Sequence, residues 1–145
     1  MAHANIYQVS LFPILPEDIM DQETIFATND WFIGEIADYI DDVDRESALT
    51  ERSQFARGFQ IQENNDGKYI IVTSKEDYFR PIWEMFCKKM HSTIGLEEFM
   101  GYRSEDNNFG DYIYADGELM TFSQFIRSCV VNEPYYIGGV IGYHQ

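Results

Sequence analysis

The chain has 145 residues, a formal net charge of −15, and 45% hydrophobic and 16% aromatic residues. That apolar content excludes disorder despite the acidity, and the length suits one domain, residues 1–145, with a real core. The charge opposes direct binding of nucleic acid and anionic membrane, and the presence of only Cys87 and Cys129 excludes a disulfide scaffold as the organising principle.

The start, MAHANIYQVSLFP, lacks a basic segment and a sustained apolar run, so it does not read as a signal peptide. No stretch approaches the roughly 20 apolar residues of a membrane span, and a cytoplasmic protein is the expectation. Tyr7, Val9 and Leu11 alternate with Gln8 and Ser10, which predicts a strand ended by Pro13. LPEDIMDQ offers at most a short helical turn near Pro16. Thr28 or Asn29 can cap a helix over residues 30–43, and a second helix over residues 45–57 is stopped by Gly58.

FQIQENNDGKYIIVT predicts a hairpin turning at Asn65-Asp66-Gly67. Ser74 and Asp77 have capping spacing, and Pro81 either kinks the helix that follows or starts a new one. Phe79, Ile82, Trp83, Phe86, Cys87 and Met90 then form an apolar helical stripe. A short helix near residues 95–100 ends at Gly101, and residues 103–111 read as a loop. Tyr112 to Tyr114 precede an Asp116-Gly117 turn. Thr121 and Gln124 make a capping box ahead of a second stripe, Phe122, Phe125, Ile126, Cys129 and Val130. YYIGGVIGY closes the chain as a strand whose glycines allow close backbone packing. The fold class is α+β: an antiparallel or mixed sheet of about 4–6 strands, with about 4–5 helices mainly on one side.

The charge is segregated. Residues 17–51 hold 12 Asp/Glu against one Arg, and residues 91–118 hold 7 against one, whereas residues 52–90 are net basic. On a helical wheel for residues 30–44, Phe32, Ile33, Ile36, Tyr39, Ile40 and Val43 share an arc of roughly 120°. Asp30, Glu35, Asp38, Asp41, Asp42 and Asp44 take the opposite half. Over about 22 Å of helix this is one charge per roughly 3.7 Å, against about 3.4 Å per phosphate along a DNA strand. Trp31 falls in the acidic arc, where it either anchors a partner or packs under the preceding loop. Glu97, Glu98, Glu105, Asp106 and Asp111 form a second acidic surface.

Signatures of reaction chemistry are weak. Cys87 and His91 are four apart on one helix, yet Cys87 belongs to an apolar stripe, where a thiol behaves as a small hydrophobe. His3 and His144 have no ligand-spaced partners, so no metal site is expected. The loop from Asp106 fails the calcium-loop pattern, with Asp111 where glycine and Gly117 where glutamate is needed. No nucleotide fingerprint or nucleophile elbow is present, and neither catalysis nor a cofactor is expected.

In size and charge the chain resembles the acidic antirestriction and anti-CRISPR proteins of phages and mobile elements, a resemblance of composition that transfers no residue. It implies a DNA-mimic-like inhibitor of a basic, nucleic-acid-handling protein. The alternatives are an immunity or antitoxin-type protein neutralising a basic toxin, and a small enzyme or ligand-binding domain. The oligomeric state is not legible.

Overall fold

The computed structural model describes residues 3–101 and 110–145. In chain order its elements are β1 (His3–Ser10), a 3-10 turn (Pro16–Asp18), α1 (Gln22–Thr28), α2 (Phe32–Glu35), β2 (Tyr39–Asp42) and α3 (Arg45–Gln54). There follow β3 (Phe59–Asn64), β4 (Gly67–Val72), α4 (Lys75–Met90) and α5 (Leu96–Gly101). The last are β5 (Tyr112–Ala115), β6 (Glu118–Thr121), α6 (Phe122–Ser128) and β7 (Pro134–His144). The strands form one sheet of order β3-β4-β7-β1-β5-β6, with β2 also paired to β7. Only β1 and β5 run parallel, so the sheet is mixed and the class is α+β, with one strand more than the upper expectation.

Local chemistry explains many of these elements. Residues Asn65 and Asp66 join β3 to β4 with Asn64 opposite Gly67, while Asp116 and Gly117 close the β5–β6 hairpin with positive φ at both positions. Ser74 caps α4 by accepting from the Asp77 amide, and Thr121 and Gln124 form the expected capping box on α6. Pro81 sits inside α4, which continues through it to Met90.

The closing strand organises the sheet. Along one edge β7 pairs with β1 from His144 to Tyr136. Along the other it takes β4 at Pro134–Tyr136 and β2 at Ile141–His144. Arg45 bridges the gap between them: its Nε donates to the Gly138 carbonyl at 2.7 Å and an Nη to the Ile137 carbonyl at 3.0 Å. Those carbonyls lack strand partners there, so a fixed guanidinium fork replaces a strand. Opposite β1 the register slips between Tyr7 and Val9, leaving an extra residue in β7 at Gly138 and Gly139. The glycines admit a strap: Gln8 Oε1 accepts from the Gly139 amide at 2.9 Å and the Met20 amide at 2.7 Å, and Gln8 Nε2 donates to the Asp18 carbonyl at 2.8 Å.

Alternation along the strands sends side chains into two cores. Tyr7, Val9, Ile70, Val72 and Ile113 face one side, where Leu49 of α3, Phe79 of α4, Phe99 of α5 and Phe122, Phe125 and Ile126 of α6 cover them. Ile6, Tyr112, Tyr114, Ile141 and Tyr143 face the other, under Met20, Ile25 of α1 and Phe32 of α2. The longer helices thus lie mainly on one side, and the stretch from Met20 to Ile40 covers the opposite side.

The expected helix over residues 30–43 does not form. Asn29 ends α1 instead of starting a helix, and α2 is broken by Ile33 at ψ 120° and Gly34 at φ 100°. The chain then extends as β2, with Ile40 buried and Tyr39 and Asp42 exposed. Ile36 is partly buried. The missed helix α1 had a sequence signal, since Asp21 and Thr24 bond reciprocally as a capping box.

Candidate partner-binding surface

Eleven of the twelve carboxylates in residues 17–51 are exposed, and the twelfth, Asp41, is partly buried. They are distributed over the 3-10 turn, α1, α2, β2, α3 and the connections between them, and α3 packs on the other face of the sheet, so they form no regular row. The phosphate-like spacing expected from a continuous helix is absent. Asp30 follows the C-cap of α1, Glu35 ends α2, and Asp38 leads into β2, its amide donating to the His144 carbonyl at 2.8 Å. Asp42 accepts from Gln22 Nε2 at 3.0 Å. Asp44 caps α3 by accepting from the Ser47 amide at 2.9 Å, and those Ser47 bonds hold its carboxyl below the usual range.

Three aromatic side chains break the acidic surface: Phe26, Trp31 and Tyr39 are 47%, 43% and 45% exposed. Trp31 Nε1 donates to Asn29 Oδ1 at 3.2 Å, and the ring meets Phe32 edge-on at 5.8 Å. Asn29 is itself buried, with its Nδ2 on Thr28 Oγ1 and the Gly117 carbonyl. The indole is therefore fixed at one edge and open on part of its surface. Tyr39, which the wheel had placed in the apolar arc, stacks on His144 at 4.5 Å and 10°. His144 Nε2 lies 3.0 Å from Asp41 Oδ2, so Asp41 holds a ring in place instead of standing free. Exposed carboxylates among partly fixed aromatic faces suit cationic side chains, through ion pairing at the rim and cation–π contact at the rings.

No family model, curated protein or solved structure matches the chain.

The second acidic segment is not one surface. Glu97 and Glu98 are exposed in the first turn of α5, on the face of the sheet opposite α1 and α2. Glu105 and Asp106 lie outside the described residues. Asp111 is a correction. Its Oδ1 accepts from the Asn5 amide at 3.0 Å, and its Oδ2 lies 3.3 Å from Arg52 Nε, an ion pair without hydrogen-bond alignment. The Arg52 guanidinium also lies 5.0 Å from the Phe59 ring centre and 4.7 Å from that of Phe122. Asp111 is thus a partly buried counter-ion, its side chain 21% exposed. Sequence shows its charge but not its burial.

Cys87 is half-buried, less than its place in the stripe implied, and its thiol faces the Ile94 carbonyl at 3.7 Å. His91 is the exposed left-handed cap of α4. Cys129 is buried, and burial raises its thiol pKa. Among the described residues no group of three or more His, Cys, Asp or Glu is placed to hold a metal, and no helix is long and apolar enough to cross a membrane.

Burial raises the Asp111 pKa, outweighing the Asn5 amide and the Arg52 charge, which lower it. The folded state then binds a proton more tightly than the unfolded chain does. Between the ordinary carboxylate pKa and the raised one, this group makes stability fall as pH rises. Asp44 and Glu46, whose pKa values are lowered, contribute the opposite slope. Urea denaturation from about pH 4 to about pH 7 in added salt should therefore show the difference between wild type and Asp111→Asn shifting against the wild type as pH rises. A pH-independent difference would contradict the assigned burial.

Proposed function

We propose that the chain is a non-catalytic interaction protein that binds and inhibits a basic, nucleic-acid-handling partner through the surface formed by α1, α2, β2 and the start of α3. The observation that carries this reading is the concentration of exposed carboxylates around the partly open rings of Phe26, Trp31 and Tyr39. An acidic field speeds encounter with a basic groove, and fixed aromatic rings slow departure from it. The reading needs no regular row of charges. It requires only that the surface fit a cationic patch that otherwise receives a nucleic-acid backbone.

The test is binding kinetics against a basic partner captured with this protein and identified, measured at two salt concentrations. Glu35→Lys with Asp38→Lys reverses two exposed charges, and Asp41 is left intact because it holds His144. The double variant should slow association about tenfold at low salt, with a smaller effect at high salt. Trp31→Ala should instead speed dissociation. The wild-type protein should compete with nucleic acid for the partner and should not bind isolated duplex. Unchanged kinetics in a folded double variant, or tight binding of duplex by the protein alone, would defeat the proposal.

A further inference from the structure

Helix α4 carries two apolar stripes. Phe79, Trp83 and Phe86 pack inward and seat the helix on its core. Ile82 and Met85, three positions apart, make a second stripe that is 41% and 68% exposed. Asp77 and Lys88 flank that stripe, eleven positions and about three turns apart, and both are exposed. Neither has an ion-pair partner among the described residues, whereas the neighbouring Glu76 is matched by Arg80. Pro81 brings no N–H, so the Asp77 carbonyl lacks the donor that a helix normally supplies four residues on. The same stretch is where a chain of net charge −15 can best approach a copy of itself. Residues 52–90 hold 7 Lys/Arg against 5 Asp/Glu, and α4 lies on the face of the sheet opposite α1 and α2.

We propose that α4 is the contact of a two-fold homodimer, packed antiparallel on α4 of a second copy. Ile82 of each copy meets Met85 of the other, and this register brings Asp77 of each within about half a turn of Lys88 of the other. The lysine then finds both the Asp77 carboxylate and the carbonyl that Pro81 leaves without its donor. Parallel pairing would instead set Asp77 against Asp77 and Lys88 against Lys88, which like charge disfavours. Helix α4 has 16 residues and is about 24 Å long, so the contact is small and the dimer weak, with a Kd of about 10–100 µM. The surface around Trp31 stays outside the contact, so the dimer does not depend on the proposed partner.

Analytical ultracentrifugation of the full chain at about 0.15 M salt, where long-range repulsion is screened, measures this directly. The expected result is a reversible monomer–dimer equilibrium with nothing larger, since a two-fold contact closes on itself. Met85→Lys, at an exposed position, should raise the Kd at least about tenfold with circular dichroism unchanged, because symmetry places the new charge in the contact twice. Lys88→Glu should raise it about threefold. Asp77→Lys with Lys88→Glu exchanges the two charges and should restore the Kd to within about twofold of wild type. Trp31→Ala should leave it unchanged. If the exchanged variant does not fold, Met85→Lys and the wild-type concentration series decide alone. A chain still monomeric at ~1 mM, a Met85→Lys dimer as tight as wild type, or association beyond the dimer would overturn the proposal. So would a folded charge exchange no tighter than Lys88→Glu, or a dimer lost in Trp31→Ala.

Discussion

Arg52→Met is expected to lower stability by about 2 kcal/mol, between the values for exposed and fully buried pairs, because it leaves the partly buried Asp111 carboxylate without its counter-charge. The methionine keeps most of the apolar volume between Phe59 and Phe122, so the loss is chiefly electrostatic, with a smaller part from the two cation–π contacts. Adding Asp111→Asn removes the stranded charge while its amide oxygen can still accept from the Asn5 amide. The double variant should therefore recover part of the loss. Urea denaturation of the four proteins in this cycle gives the coupling directly. Additive losses would mean that Arg52 and Asp111 do not stabilise one another, and the account of the ion pair would fail.

Gly139→Ala should cost about 2–3 kcal/mol through overpacking. A Cβ there would stand 2.3 Å from the Met20 carbonyl oxygen and 3.2 Å from Ile19 Cγ2, and the first of these is backbone. The strap over residues 18–20 must then lift, and the Gln8 bonds to the Met20 and Gly139 amides must lengthen or break. Because that strap leads into α1, partner binding should weaken in the same variant. Gly95→Ala is the control: nothing lies within 4 Å of its added Cβ, so its cost should be small. Thermal and urea denaturation of both variants makes the comparison. A Gly139→Ala protein as stable as the control would remove the close backbone approach from the account of β7.

Elements governed by neighbouring residues were legible in the sequence. The turns at Asn65-Asp66 and Asp116-Gly117 need positive φ or a short polar bend, and their residue types announce it. The caps at Ser74 and Thr121 are written in residues three positions apart. Of the two stripes, Phe79, Trp83, Phe86, Phe122, Phe125 and Ile126 pack inward, whereas Ile82, Met90 and Val130 are exposed. The concentration of carboxylates in residues 17–51 is a property of composition, and their exposure follows from the cost of burying unpaired charge.

Residues 30–44 were decided elsewhere. Ile33, Ile36, Ile40 and Val43 satisfy a helical wheel, but β-branched residues also suit a strand, and local pattern cannot choose between the two. The choice was made by the open edge of β7, whose residues Ile141–His144 pair with Tyr39–Asp42 from the far end of the chain. Gly34 supplied the break that let the chain turn towards that edge. Tyr39 consequently reached the surface beside His144, although the wheel had assigned it to the core. Asp111 moved in the opposite direction, from a presumed surface charge to the partly buried partner of Arg52. In each case sequence determined which groups needed partners. Tertiary structure decided where they found them, because the satisfying groups came from residues distant along the chain.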